Sequence, residues 1–198
     1  MKKFFFVSVL ASALLLGCNN NKPGAITVKS EDGKTTTTVN AGDMATVAED
    51  YQKKAEELQK LAPYTLDQLK AMLPEEIGGA KRAKYSANSA MGAAYAEGEY
   101  PMNDSTQVNV KIFDCAGQAG AGIYSMQYLG MMNFQSESDE EYTKTVDFNG
   151  SRAVEHLDKN DNEASFMYLA GDRLLVTVEG RNTDVDMLRK IASNLNLK

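Results

Sequence analysis

Two turn signals set between segments of matched length constrain this chain more than any other feature. Asn149-Gly150 separates residues 142–148 from 152–157, and Gly171-Asp172 separates 164–170 from 173–179. Dipeptides of this kind accept the positive backbone φ of a tight hairpin turn, and the flanking residues alternate in polarity with a period of two. A one-residue slip of such a strand would turn its apolar set to the solvent, so the register is strongly specified. The last third of the chain is therefore expected to be two antiparallel hairpins. Residues 91–100, a turn at Asn103-Asp104-Ser105, and a strand with Val108, Val110 and Ile112 inward extend the same pattern upstream.

Near the other end, 25–30 and 34–40 flank Asp32-Gly33, again a hairpin signal, with Glu31 facing Lys34. One face would carry Ile26, Val28, Thr37 and Val39. The alternative is a low-complexity linker through Thr35 to Thr38. An isolated hairpin is marginal in water, so a formed one is expected to dock on the main domain or on a partner.

Helical periodicity occupies the remainder. Asp43 is placed to cap a helix running to about Ala62, with Met44, Val47, Ala48, Tyr51, Ala55, Leu58 and Ala62 along one stripe and Glu49/Lys53 and Glu56/Lys60 opposite. Pro63 ends it. Thr65-Leu66-Asp67-Gln68 is a capping-box pattern opening a second helix, with Leu66, Leu69 and Leu73 inward until Pro74. Residues 115–133 read as a loop and helix with Ala119, Ile123, Met126 and Gly130 on one face. Thr183 is placed to cap a last helix with Val185, Leu188, Ile191, Ala192 and Leu195 inward. The expected fold class is α+β: an antiparallel sheet of about six strands with packed helices, preceded by a hairpin and an amphipathic helix.

The first residues set an address. Lys2 and Lys3 precede an apolar run over 4–16, then Gly17 and Cys18. As a helix that run reaches only about 20 Å, short of a hydrocarbon core of about 30 Å. Leu15-Leu16-Gly17-Cys18 resembles the lipobox of bacterial lipoproteins, with Leu16 a less usual residue before the glycine. The resemblance implies that 1–17 is a signal peptide and that Cys18 becomes the first mature residue, lipidated on sulfur (palmitate-class acyl chains) and usually on its amine. Two or three acyl chains anchor essentially permanently where one does not. Residues 18–24 would form a lipidated tether. No acidic run follows the cysteine, which favours a periplasm-facing position on the outer membrane over surface export.

Composition narrows the function classes. The formal charge is −6, and loss of Lys2 and Lys3 makes it more negative still, which opposes nucleic-acid binding. With Cys18 lipidated, Cys115 is the one remaining thiol, so no disulfide staple is expected and burial is. His156 is the only histidine, which disfavours multi-His metal sites and His-dependent triads; its expected role is a surface or satisfied structural one. Gly117 to Gly122 lacks both dinucleotide and Lys-Ser/Thr phosphate-loop spacing, so no nucleotide is expected, and small residues here suit close packing of a helix on a sheet. Asp158 to Glu163 begins like a calcium loop but places Glu163 at the sixth position and Leu169 at the twelfth. A hairpin loop explains it better. Glu137 to Glu141 is an acidic cluster with the default reading of a solvated loop.

Leu73-Pro74, Ala94-Tyr95, residues 110–114, 149–153, 171–180 and 195–197 together resemble a recurrent, functionally uncharacterised bacterial exported domain. The element order is also similar to the PsbP-like fold. This resemblance implies a scaffold for 63–198 and brings no catalytic residues with it.

The expectation is thus a signal peptide (1–17), a tether (18–24), a hairpin plus amphipathic helix (25–62) and an α+β domain (63–198). Its function would be that of a membrane-anchored, periplasm-facing, non-enzymatic binding or envelope-assembly module. Its site residues are Cys18 for lipid and Met44, Val47, Tyr51 and Leu58 as candidates for binding an envelope protein partner, with no cofactor. The competing classes are a small carboxylate-dependent hydrolase, which needs two buried, converging carboxylates, and a purely structural envelope protein.

Overall fold

A computed structural model describes residues 25–30, 33–40, 44–90, 92–129 and 134–197, with side chains for these except 25–26, 39–40, 44–51, 90, 127–129 and 134. Cys18, the tether, Glu31, Asp32, Asp43, Met91 and Gly130 lie outside the described residues, and the side chains of Met44, Val47 and Tyr51 do too.

In chain order the elements are β1 (Ala25–Lys29), β2 (Thr36–Asn40), α1 (Met44–Gln59), α2 (Leu66–Met72), β3 (Glu76–Ile77), β4 (Ala80–Lys81), β5 (Lys84–Ala90), β6 (Ala93–Pro101), β7 (Gln107–Asp114), α3 (Gly117–Ile123) with a π-helical continuation (Tyr124–Leu129), β8 (Phe134–Glu137), β9 (Glu141–Phe148), β10 (Ser151–Asp158), β11 (Glu163–Ala170), β12 (Leu174–Arg181) and α4 (Val185–Asn194). All strands except β3 and β4 join one ten-stranded sheet in the order β1-β2-β8-β9-β10-β11-β12-β7-β6-β5. Every pairing in it is antiparallel.

This corrects the expected fold class. Strand outweighs helix by 47% to 24%, so the protein is mostly β, with one large sheet in place of about six strands and short helices on it. The reason lies in three segments. The early hairpin adds β1 and β2 to the main sheet through β8. Residues 134–137, too short for a periodicity signal, form β8 as the bridge. The region expected to begin a single extended segment at Met91 turns at Gly92, with φ 81°, so β5 and β6 form a hairpin of their own. The boundary expected between 62 and 63 is crossed by this sheet and by the packing of α1 on α3.

The turn expectations hold where they are described. Asn149 (φ 50°) and Gly150 (φ 79°) make the β9–β10 turn, and Gly171 (φ 54°) and Asp172 (φ 58°) the β11–β12 turn. Positive φ at two adjacent residues is the local condition that joins two twisted strands without splaying them.

The two faces of the sheet are unlike. Val108, Val110 and Ile112 of β7, Val176 and Val178 of β12, and Phe166 of β11 are fully buried on one face. There α4 lays Val185, Leu188, Ile191 and Ala192 over β10 to β12, and α2 lays Leu69 and Leu73 over β5 to β7. Each such aliphatic or aromatic side chain contributes about 1.5–3 kcal/mol through burial. Phe148 meets Phe166 and Tyr168 edge-on, with ring centroids 4.9 Å apart in both pairs. On the opposite face, Leu175, Val154 and Cys115 are covered by Leu58 of α1, Ala121 of α3 and Tyr124.

Helix details depart from the expectation in three places. The Thr65–Gln68 capping box is present, but Leu66 is 38% exposed while Leu69 and Leu73 are buried. Asp184, not Thr183, caps α4, accepting from the Met187 amide at 2.7 Å. The buried face of α3 is Gly120 and Ala121, continued by Tyr124, while Met126 is 79% exposed. The π-helical turn after Ile123 rotates later residues away from the 3.6-residue register on which the sequence reading relied.

Candidate functional site

Among the described residues, the second face of the sheet is bare beyond the reach of α1 and α3, and there the strand pairing aligns one residue from each strand in a single lateral row. Following the register from one edge to the other, the row reads Lys84, Glu99, Asn109, Glu179, Ser165, His156, Thr143, Ser136, Thr37, Val28. Nine of these ten positions are polar. Beside it, toward the free ends of the strands, Gln107, Arg181, Glu163, Asp158 and Glu141 form a second row. Toward the helices lies a row that turns from polar to apolar: Glu97, Lys111, Thr177, Met167 and Val154. Polarity on this face thus changes along the strands, apolar under the helices and polar where they stop.

The two polar rows enclose an open groove of about 600 Å³ lined by Gln107, Asn109, His156, Asp158, Glu163 and Arg181 with Ser165 and Glu179 on its floor. His156 is half-buried in it, its Nδ1 within hydrogen-bond distance of the Thr143 hydroxyl at 2.9 Å. That is the satisfied structural histidine expected from the sequence. Arg181 is ion-paired to Glu163 at the rim. Asp158 uses one oxygen to accept from the amides of Asn160 (2.8 Å) and Asp161 (3.2 Å), so the stretch that begins like a calcium loop is a hairpin connection held by its own aspartate. Among the described residues, no group of three or more His, Cys, Asp or Glu side chains could hold a metal ion.

Two buried carboxylates lie on the other face. Glu155, 1% exposed, sits between Lys144, at 2.7 Å, and Arg189 of α4. Its hydrogen bond holds the Lys144 ammonium above the usual lysine range. Asp114, fully buried at the end of β7, takes both arms of the Arg173 guanidinium and the amides of Tyr64 and Ala116. Each carboxylate is committed to cations, and two strands, β11 and β12, separate β10 from β7. They do not form the converging pair that hydrolysis would need.

The remaining sequence-selected residues are distributed as follows. Leu58 is 1% exposed in the core with Cys115, Ala121 and Tyr124, so in the folded chain it cannot touch a partner. Cys115 is fully buried, as expected, and burial pushes its thiol up to about 12. Asp139 and Glu140 lie in the exposed β8–β9 connection and Glu141 opens β9, with Ser138 accepting from the Glu140 and Glu141 amides.

Glu179, Ser165, Asn109 and Thr143 were not selected from the sequence, although the strand alternation contains their signal. In 107–113 and 174–179 the inward parity is apolar and the other parity carries Asn109, Lys111, Thr177 and Glu179. Glu155 and Asp114 had a signal as well, since each sits at an inward position of an alternating strand.

No family model, no curated protein and no solved structure matches this chain.

Proposed function

We propose that this chain is an exported, lipid-anchored, periplasm-facing module that binds without bond-making, and that it holds its ligand on the bare half of the sheet. The observation that carries this reading is the row that crosses the sheet, polar on nine of its ten strands, beside an open groove. A sheet face left uncovered in a single domain is normally either polar throughout or sealed by helices; here helices seal one half and stop where the polarity changes. A groove lined by carboxylates, amides, a hydroxyl, an imidazole and a guanidinium suits a polar, hydrogen-bonding ligand. Lipidation at Cys18 would hold this groove near a bilayer, since residues 19–24 extend at most about 3.5 Å each.

The anchor is tested by intact-mass measurement of the chain isolated from membranes: an unmodified Cys18 there would remove that part of the reading. The binding role is tested with Ser165→Arg, which places a long cation on the groove floor. The expected result is an unchanged melting temperature with loss of retention of a polar envelope component that the wild-type chain retains. Turnover of a defined substrate abolished by changing one carboxylate would replace the binding role by an enzymatic one.

A further inference from the structure

We infer that the free edge of β5 is an interface between two copies of this chain, paired antiparallel about Ala87 to continue the sheet across a two-fold axis. Strand β5 ends the sheet, hydrogen-bonded to β6 on one side over the full register from Lys84↔Glu99 to Ala90↔Ala93. Its other side is a row of backbone N–H and C=O groups. Edges of this kind template further pairing, and proteins that stay monomeric block them with charge, proline, a bulge or a covering element.

Among the described residues, these devices are missing at the centre of β5. Residues 85–89 read Tyr-Ser-Ala-Asn-Ser, with neither charge nor proline, and all but the half-buried Ala87 are exposed. The one lysine of the strand, Lys84, is turned toward the paired side, its ammonium 3.2 Å from Glu99 of β6. Tyr85, 50% exposed, is braced by Lys70 of α2 at 4.3 Å and Arg82 at 5.4 Å from its ring. Both cations are on the same chain as the ring, so the aromatic surface is held in place before any partner arrives.

The sequence of β5 is complementary to itself in this register. Pairing about Ala87 sets Ala87 against its own copy and each Tyr85 against Ser89 of the other chain, an aromatic against a small side chain. On the opposite face it sets Ser86 against Asn88, which exchange hydrogen bonds in either direction. The two Lys84 residues are then six strand positions apart, about 20 Å, well beyond a screening length of about 8 Å, so no like charges oppose the pairing. A two-fold axis of this kind uses the same patch on both chains and closes the assembly at a dimer. The other edge, β1, stays free in such a dimer.

Sedimentation equilibrium of the full chain in detergent, with Ala87→Cys and Thr27→Cys as probes of the two edges, tests the inference. Directly opposed positions in neighbouring strands have Cβ atoms about 4.5–5.5 Å apart, close enough for a disulfide with small adjustment, and buried Cys115 does not compete. With Cys18 replaced by Ser to remove the other thiol, the expected result is a wild-type mass of two chains, a covalent dimer from Ala87→Cys under mild oxidation, and none from Ser86→Cys, whose partner position is 88. Ser89→Pro, which removes a donor from the free edge and none from the ladder with β6, should return the mass to one chain while leaving the far-ultraviolet spectrum unchanged. A wild-type mass of one chain at all concentrations would overturn the inference, as would a dimer trapped through Thr27→Cys and not through Ala87→Cys. Loss of groove binding by Ser165→Arg with the dimer intact would separate this interface from the proposed binding role.

Discussion

Arg173 holds Asp114 with two parallel hydrogen bonds, Nε to Oδ1 at 2.8 Å and Nη2 to Oδ2 at 2.9 Å, at a point where three parts of the chain meet. The same guanidinium donates to the Ala62 carbonyl at 2.7 Å and lies 3.6 Å from the centre of the Tyr64 ring, while Asp114 accepts the Tyr64 amide at 2.6 Å. The α1–α2 connection is thereby fixed to the adjoining ends of β7 and β12. A buried pair of this kind gives little net stability against an apolar replacement, but losing one member leaves the other buried and unpaired. Asp114→Ala should therefore cost about 3–5 kcal/mol in urea unfolding. Arg173→Lys should lose part of that, because an ammonium keeps the charge but not the two-point geometry.

Gly120 of α3 lies against the chain just after β7. A Cβ there would meet the carbonyl carbon of Cys115 at 2.6 Å and the carbonyl oxygen of Asp114 at 2.7 Å, both backbone atoms unable to move aside. Gly120→Ala should destabilise the fold by about 1–3 kcal/mol, the usual cost of overpacking, despite the better helix propensity of alanine. Gly122, with open space around its Cβ position, is the control: Gly122→Ala should be neutral or stabilising by up to about 1 kcal/mol in the same measurement.

Cys115 makes stability fall in alkali. Its folded-state pKa, raised to about 12 by burial, exceeds the unfolded value of about 8.5, so the folded chain keeps a proton that the unfolded chain has released. The associated stability is fully present below about pH 8.5 and is lost as pH rises toward the folded value, by up to about 1.4 kcal/mol per pH unit. Lys144, also raised, adds to the loss only above the ordinary lysine value of about 10.4. Unfolding free energies of wild type and Cys115→Ala, measured from pH 8 to 10, should diverge in slope, with the alanine variant flatter.

Leu58 and Leu66 test the assignment of helix faces. Leu58→Ala should cost about 2–5 kcal/mol, the range for a fully buried leucine, because α1 seals the second core through it. Leu66→Ala, at a position 38% exposed, should cost markedly less by thermal or urea unfolding. Comparable losses at both sites would mean that the exposed and buried faces of α2 are other than described.

How much of this was legible in the sequence divides by distance along the chain. The turn residues with positive φ, the Thr65–Gln68 capping box, the inward Val108, Val110 and Ile112 and the burial of Cys115 follow from local sterics, one-turn hydrogen bonds and strand parity, which neighbouring residues determine by themselves. Faces of short helices were legible only while the 3.6-residue period lasted; the π-helical turn at Tyr124–Leu129 broke it, and Met126 came out exposed.

Tertiary structure decided the rest. That β12 pairs with β7, that β2 continues the sheet through β8, and that α2 and α4 share one face while α1 and α3 share the other are choices among strands with nearly equivalent backbone hydrogen bonds. Such choices depend on loop closure and on how well distant side chains interlock, which no local pattern records. The groove exists for the same reason: Asn109, Glu179, Ser165 and His156 come from four strands between residues 107 and 181, and each was an ordinary outward residue until the register placed them side by side.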